Sequence, residues 1–189
     1  QQIQGDQYAA LYSETLTVEL ENEFLPFLYP NQYVNFSPDS EASKLALSMV
    51  SEDTSDIDAL KQIYNYVVNN LSYDYDKAET VETGYLPDVD ETLSTKTGIC
   101  FDYAALTTAM LRSCDIPCKL QIGYTGDIKH AWIDVYIRSK GWVTNAVSFN
   151  GDSWSLMDPT FDSSADSDDS EAIQDYIGNA DNYTVQFTR

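Results

Sequence analysis

Histidine is almost absent from this chain: His130 is the single one among 189 residues, so any chemistry that needs an imidazole has one place to occur. Cysteine is scarce as well, with only Cys100, Cys114 and Cys118, an odd number that cannot all pair with one another. Basic residues number ten against thirty-one acidic ones, a formal net charge of -21. Such a field repels a phosphate backbone and an anionic lipid surface, so no nucleic acid partner is expected, and its plainest meaning is solubility. No apolar run approaches the roughly 20 residues of a bilayer-spanning helix, which argues against membrane insertion. The Asp-x-Asp-x-Asp-Gly pattern of a calcium loop and the Cys-x-x-Cys pair of a zinc site are both missing, and nothing implies a cofactor. The chain opens at Gln1 without methionine or an apolar leader, which reads as a trimmed or processed product.

What is present describes a folded domain. The hydrophobic fraction is 43% and the aromatic fraction 13%, with fourteen tyrosines, and residues 1–189 fit one domain. Lysine is scarce beside serine, aspartate, asparagine and tyrosine, which leans towards a secreted or cell-surface bacterial protein. Gln1 to Gln7 is a polar leader, and Tyr8 to Glu23 mixes alternation (Leu16, Val18, Leu20) with helix formers, leaving helix and strand both open. Phe24, Pro26, Phe27, Tyr29, Pro30, Tyr33 and Phe36 read as an irregular strap across the surface, with a peptide or glycan platform as the less favoured alternative. Ser37 or Asp39 can cap a helix carrying Ala42, Leu45, Ala46, Met49 and Val50. A second helix follows, with Ile57, Leu60, Ile63, Tyr64, Val67, Val68 and Leu71 on one stripe.

Residues 73–76 read as a short extended piece, and Lys77 to Glu91 as an acidic loop that either gates a neighbouring site or simply connects. Ile99 to Arg112 is apolar around much of its circumference, as a central helix would be. Strands are expected over Cys118 to Thr125 and His130 to Ile137, the second with His130, Trp132, Asp134 and Tyr136 on one face. Trp142 to Phe149 and Ser153 to Asp158 continue an antiparallel meander around Asn150-Gly151. An acidic loop over 162–171 and a closing strand at Tyr183 to Phe187 complete an α+β arrangement, with a helical part at 37–76 and a core at 92–162.

Cys100 opens the central helix, where peptide dipoles and unpaired N–H groups favour a thiolate. His130 can take the thiol proton and return it to a leaving amine, while an acid on the other ring nitrogen orients the imidazole, a role assigned to Asp158 with Asp134 as the fallback. The Cys100 N–H is a natural oxyanion donor, and Tyr73 or Tyr75 are candidates for the second. Cys114 and Cys118 flank Asp115-Ile116-Pro117 and are either a local disulfide or two buried thiols. A zinc set of Cys100, Cys114, Cys118 and His130 can be written but lacks the usual pairing.

These residues carry a resemblance. Gly98-Ile99-Cys100-Phe101-Asp102-Tyr103-Ala104, Leu111-Arg112 with Ile116-Pro117, Gly123-Tyr124, His130-Ala131-Trp132-Ile133-Asp134-Val135-Tyr136, Gly141-Trp142 and Asp158-Pro159-Thr160-Phe161 resemble the transglutaminase-like superfamily of papain-type thiol enzymes. The resemblance implies a cysteine-bearing helix packed on an antiparallel sheet, with Cys100 as nucleophile, His130 as base, Asp158 as orienting acid and Trp132 in support. It also implies a thioester intermediate and a protein or peptide substrate, the outcome being cross-linking or hydrolysis. An inactive extracellular module binding peptide or glycan is the alternative. Two departures stand out: eleven residues separate Trp142 from Trp154 before Asp158-Pro159, implying an extra hairpin arm, and Asp134 stands where glutamate is common.

Overall fold

The stripe on the second helix does what its spacing predicts. In the computed structural model, α2 (Asp56–Asn70) buries Ala59, Leu60, Ile63 and Val67, and Ser55 caps it by accepting the Asp58 N–H at 3.1 Å. The structure describes residues 2–4, 7–8, 12, 14–149, 154–156 and 183–189. β1 (Gln2–Gln4) and β2 (Gln7–Tyr8) form a small antiparallel pair, and residues 14–20 follow outside any ladder. The strap is packed as expected: Phe24 meets Tyr136 at 4.5 Å, Phe27 meets Trp142 at 5.5 Å, and Val34 is fully buried.

α1 (Glu41–Met49) begins after Ser40, whose side chain makes no cap. Neither Ser37 nor Asp39 caps it; the Asp90 carboxylate accepts the Ala42 N–H at 2.9 Å from 48 residues away. The acidic stretch after residue 76 is more ordered than a loop. It holds α3 (Tyr75–Thr80), capped by Asp74, and α4 (Val89–Thr95), capped by Asp88 through the Asp90 and Glu91 N–H groups. β3 (Ser72–Tyr73) and β4 (Thr97–Gly98) pair in parallel, which sets Tyr73 beside Gly98 just ahead of the cysteine.

α5 (Cys100–Ser113) packs against α1, α2, α4 and the sheet, so it is buried nearly all round. The described strands β5 (Cys118–Thr125), β6 (Ile128–Ile137), β7 (Gly141–Phe149), β8 (Trp154–Leu156) and β9 (Tyr183–Thr188) form an antiparallel sheet in the order β8-β7-β6-β5-β9. The period-two pattern sorts its faces. Cys118, Leu120, Ile122, Ala131, Ile133, Val135 and Ile137 join the core with α5, while Gln121, His130, Trp132 and Asp134 occupy the other side. Helices on one side of an antiparallel sheet make this the expected α+β fold. Gly123 is required where β9 approaches: a Cβ there would stand 1.9 Å from the Thr184 carbonyl oxygen.

Candidate active site

Cys100 is the first residue of α5, presented by the turn that β4 feeds into the helix. The Asp102 carboxylate accepts the Ile99 N–H at 2.8 Å, fixing that turn. Gly98 is bare because Asp102 lies against it: a Cβ at this position would meet the Asp102 Cβ at 2.6 Å. The Cys100 sulfur accepts the N–H of Ala131, which belongs to the peptide joining His130 to Ala131. The described β6–β7 ladder begins only at Ile133–Val147, so the helix end meets β6 beyond the reach of that pairing. Tyr73 comes in from β3, and its hydroxyl accepts the N–H of Cys100. Nucleophile candidate, histidine strand and tyrosine thus converge at one helix terminus.

Electrostatics differ from the sequence expectation of a thiol made acidic by its helix. Burial pushes the Cys100 thiol up, and the N–H groups of Ala131, Phe101 and Cys100 itself pull it back only in part. Burial lowers the His130 imidazole to about 4. The dipole is present, but enclosure on several sides outweighs it, so thiol and imidazole are both neutral near pH 7. Tyr73 is pushed up to about 12, by burial first and by Cys100 next, which keeps it a phenol and a hydrogen-bond donor.

The other sequence candidates fall into place around this terminus. Trp132 lies on the same face of β6 as His130, with ring centroids 6.2 Å apart and planes 19° from parallel, and its ring also meets Tyr183 at 5.2 Å. Tyr75 packs edge-on against Tyr73 at 4.9 Å and is 58% exposed, so it lines the approach while Tyr73 touches the cysteine backbone. Asp134 is four residues beyond His130, about 13 Å along an extended strand. Its carboxylate accepts Gln121 Nε2 at 2.6 Å, with Thr188 Oγ1 donating to Gln121 Oε1 at 2.7 Å. That distance makes it a poor orienting acid. Asp158, the Asn150-Gly151 turn and the acidic stretch at 162–171 lie outside the described residues.

Cys114 and Cys118 are not bridged. Cys118 is fully buried with its thiol on Thr108 Oγ1 at 3.5 Å, and burial lifts Cys114 to about 11 and Cys118 to about 12. The four-ligand zinc set does not form, because Cys100 and Cys114 stand at opposite ends of α5, about 21 Å apart at 1.5 Å per residue.

Sequence reasoning missed one group. Asp102 is completely buried, and besides Ile99 it accepts Lys77 Nζ at 2.8 Å and the Tyr85 hydroxyl, while Lys77 Nζ also donates to Tyr85 at 2.7 Å. Its local signal was legible: an acid at the third position of a helix commonly reaches back to the cap N–H.

A cysteine opening a helix on an antiparallel sheet, with a histidine on the adjoining strand, is the arrangement of a thiol-enzyme fold. The family model described as the transglutaminase-like superfamily matches residues 43–159, and the chain belongs to that superfamily. A UPF0252 protein of Methanocaldococcus jannaschii is 40% identical over 62 residues, covering 30% of this chain and 18% of the relative. An uncharacterized Bacillus subtilis protein, YebA, is 25% identical over 154 residues, covering 69% of this chain and 21% of its own length. The chain therefore spans about a fifth of the curated relatives it matches. Among solved structures, a candidate cysteine protease from Cytophaga hutchinsonii is similar with a TM-score of 0.52 at 24% identity, covering 70% of this chain and 43% of that one.

Proposed function

We propose that this domain performs acyl transfer or hydrolysis at carboxamide bonds of a protein or peptide through a thioester on Cys100. The observation that carries the reading is the convergence at the α5 terminus: the Cys100 sulfur on the His130–Ala131 peptide and the Tyr73 hydroxyl on the Cys100 N–H. His130 takes the thiol proton as sulfur attacks the carbonyl carbon, and the resulting imidazolium is oriented by Asp158. As the oxyanion forms, the Cys100 N–H exchanges its bond to the Tyr73 oxygen for one to the oxyanion and the Tyr73 O–H donates beside it, each such donor being worth about 2.7–4 kcal/mol in other enzymes. Collapse breaks the C–N bond, the imidazolium protonates the departing amine, and water or a second amine resolves the thioester with His130 again as base. Since thiol and imidazole are both neutral at rest, proton transfer accompanies attack instead of preceding it.

The test is incubation with a glutamine-peptide library and a primary-amine probe, read by mass spectrometry. Acyl-Cys100 together with amine-linked, deamidated or cleaved peptide is expected, and the product identity separates cross-linking from hydrolysis. No adduct and no product across the library would sink the reading. It would favour the second one, a peptide- or glycan-binding module, which draws on the neutral resting pair; binding unchanged in Cys100→Ala would mark that case. The proposal includes a secreted or cell-surface setting, in keeping with the net charge of -21, and fractionation finding the native protein in the cytosol would remove that part.

A further inference from the structure

One group beside the site is left unused by this mechanism. Asp102 lies two residues beyond Cys100 on the same helix, wholly out of solvent, yet its carboxylate forms an ion pair with Lys77. A buried carboxylate is costly unless it is paired and its remaining lone pairs are filled, and an apolar replacement often serves stability as well. Here the pairing is complete: Ile99 N–H at 2.8 Å, Lys77 Nζ at 2.8 Å and the Tyr85 hydroxyl all donate to it. Lys77 closes the ring by donating to Tyr85 at 2.7 Å, with its ammonium 4.4 Å from the Tyr85 ring centroid. Three chain segments meet at that one carboxylate. They are the cysteine turn, the α3 helix just after Tyr73, and the 81–88 connection, whose Tyr85 also sits edge-on to Phe101 at 6.3 Å.

We infer that Asp102, Lys77 and Tyr85 are positioning residues that hold the nucleophile's turn against the Tyr73 segment and set the reactivity of Cys100 through two opposed charges. Asp102 disfavours the thiolate and Lys77, by pairing with it, restores it. Among the described residues, the other titratable groups around Cys100 are Tyr73 and Tyr75 from the 72–80 segment, Tyr103 on α5 and His130 on β6. The phenols of Tyr73 and Tyr103 are held at about 12 and the imidazole at about 4, so all three largely keep their charge state between about pH 6 and about pH 11. The Asp102 charge acts on the thiol in the same direction as burial.

The inference concerns the same site as the proposed function, but its test needs no substrate. Because burial holds the thiol above its ordinary value, iodoacetamide alkylation of Cys100 is followed by peptide mass spectrometry in the intact chain from about pH 6 to about pH 11, with circular dichroism to confirm folding at each pH. Asp102→Asn keeps the shape and an acceptor for Ile99 while removing the charge, and should move the alkylation midpoint down by about one pH unit. Lys77→Met leaves the carboxylate unneutralised and should move it up by a similar amount. Tyr85→Phe keeps both charges and should leave it within a few tenths. A merely structural cluster would lower the melting temperature in all three without moving the midpoints apart. Unchanged midpoints, or shifts of the same sign in the two charge variants, would overturn the inference while a reactive wild-type Cys100 left the proposed function standing. If Asp102→Asn does not fold, Lys77→Met decides alone: an upward shift supports the cluster and any other result overturns it. A wild-type Cys100 inert throughout would sink both.

Discussion

The two ends of α5 bury a charge in opposite ways. At the start, the Asp102 carboxylate meets an ammonium, a phenol and one backbone N–H, two residues from the cysteine. At the other end, the Arg112 guanidinium is 2% exposed and touches only backbone carbonyls: Cys118 through Nε at 3.0 Å and Nη2 at 2.8 Å, Tyr29 at 2.7 Å and Arg189 at 2.9 Å. Carbonyls cannot titrate, so these hydrogen bonds of Arg112 fasten, joining the strap, β5 and the residue after β9. Acids, phenols and thiols can titrate, so the Cys100 end can also tune. One helix thus sets the Arg112 fastening about 20 Å from the Cys100 terminus.

Substitution should break this contrast most visibly at the cysteine. Cys100→Ala is expected to remove thiol-dependent turnover, a loss on the order of a thousandfold or more, with a melting temperature within about 2 °C of wild type. Turnover surviving in the variant would place the chemistry elsewhere. His130 supplies the next effect. Its folded pKa of about 4 lies below its ordinary value, so its contribution to stability is present above about pH 6.5 and is lost as pH falls towards 4. Denaturant titrations should show up to about 3 kcal/mol of acid destabilisation over that window, and His130→Gln should flatten it.

Arg112→Ala is the mirror of Cys100→Ala. Carbonyls of Cys118, Tyr29 and Arg189 lose their donor together, which should cost about 3 kcal/mol and lower the melting temperature by about 6 to 12 °C. Activity per folded molecule should be kept; if it fell while the melting temperature held, the two ends would not be separate in function. Tyr73→Phe sharpens the picture from the other side. Loss of the hydroxyl that meets the Cys100 N–H should lower kcat by about ten- to a hundredfold, with KM and stability little changed.

Local pattern made much of this legible. The α2 stripe, the apolar α5 and the alternation along β5 and β6 each depend on residues within a dozen positions of one another, so period alone revealed them. Cys100 and His130 stood out because the chain has so few residues of either type. What escaped depends on distant partners. Asp90 caps α1 from 48 residues away, and the short helices α3 and α4, hidden in an acidic stretch that reads as loop, rest on the caps Asp74 and Asp88. Lys77 and Tyr85 reach Asp102 across 25 and 17 residues, with no periodic mark. The thiol expectation erred for the same reason: a helix start is visible in sequence, but the enclosure that opposes it is not.

The β9 strand has a consequence for the order in which this domain can be made. Leu120 and Arg189 exchange both backbone hydrogen bonds at 2.8 Å, and Tyr183 of β9 supports the tryptophan beside His130. During synthesis, β5, β6 and the cysteine helix leave the ribosome well before β9 exists, and closing a loop of about seventy residues costs entropy that no local contact repays. The histidine side of the site is therefore completed only once β9 has emerged. A nascent chain halted before Tyr183 would carry its thiol while the tryptophan beside His130 still lacked its Tyr183 neighbour.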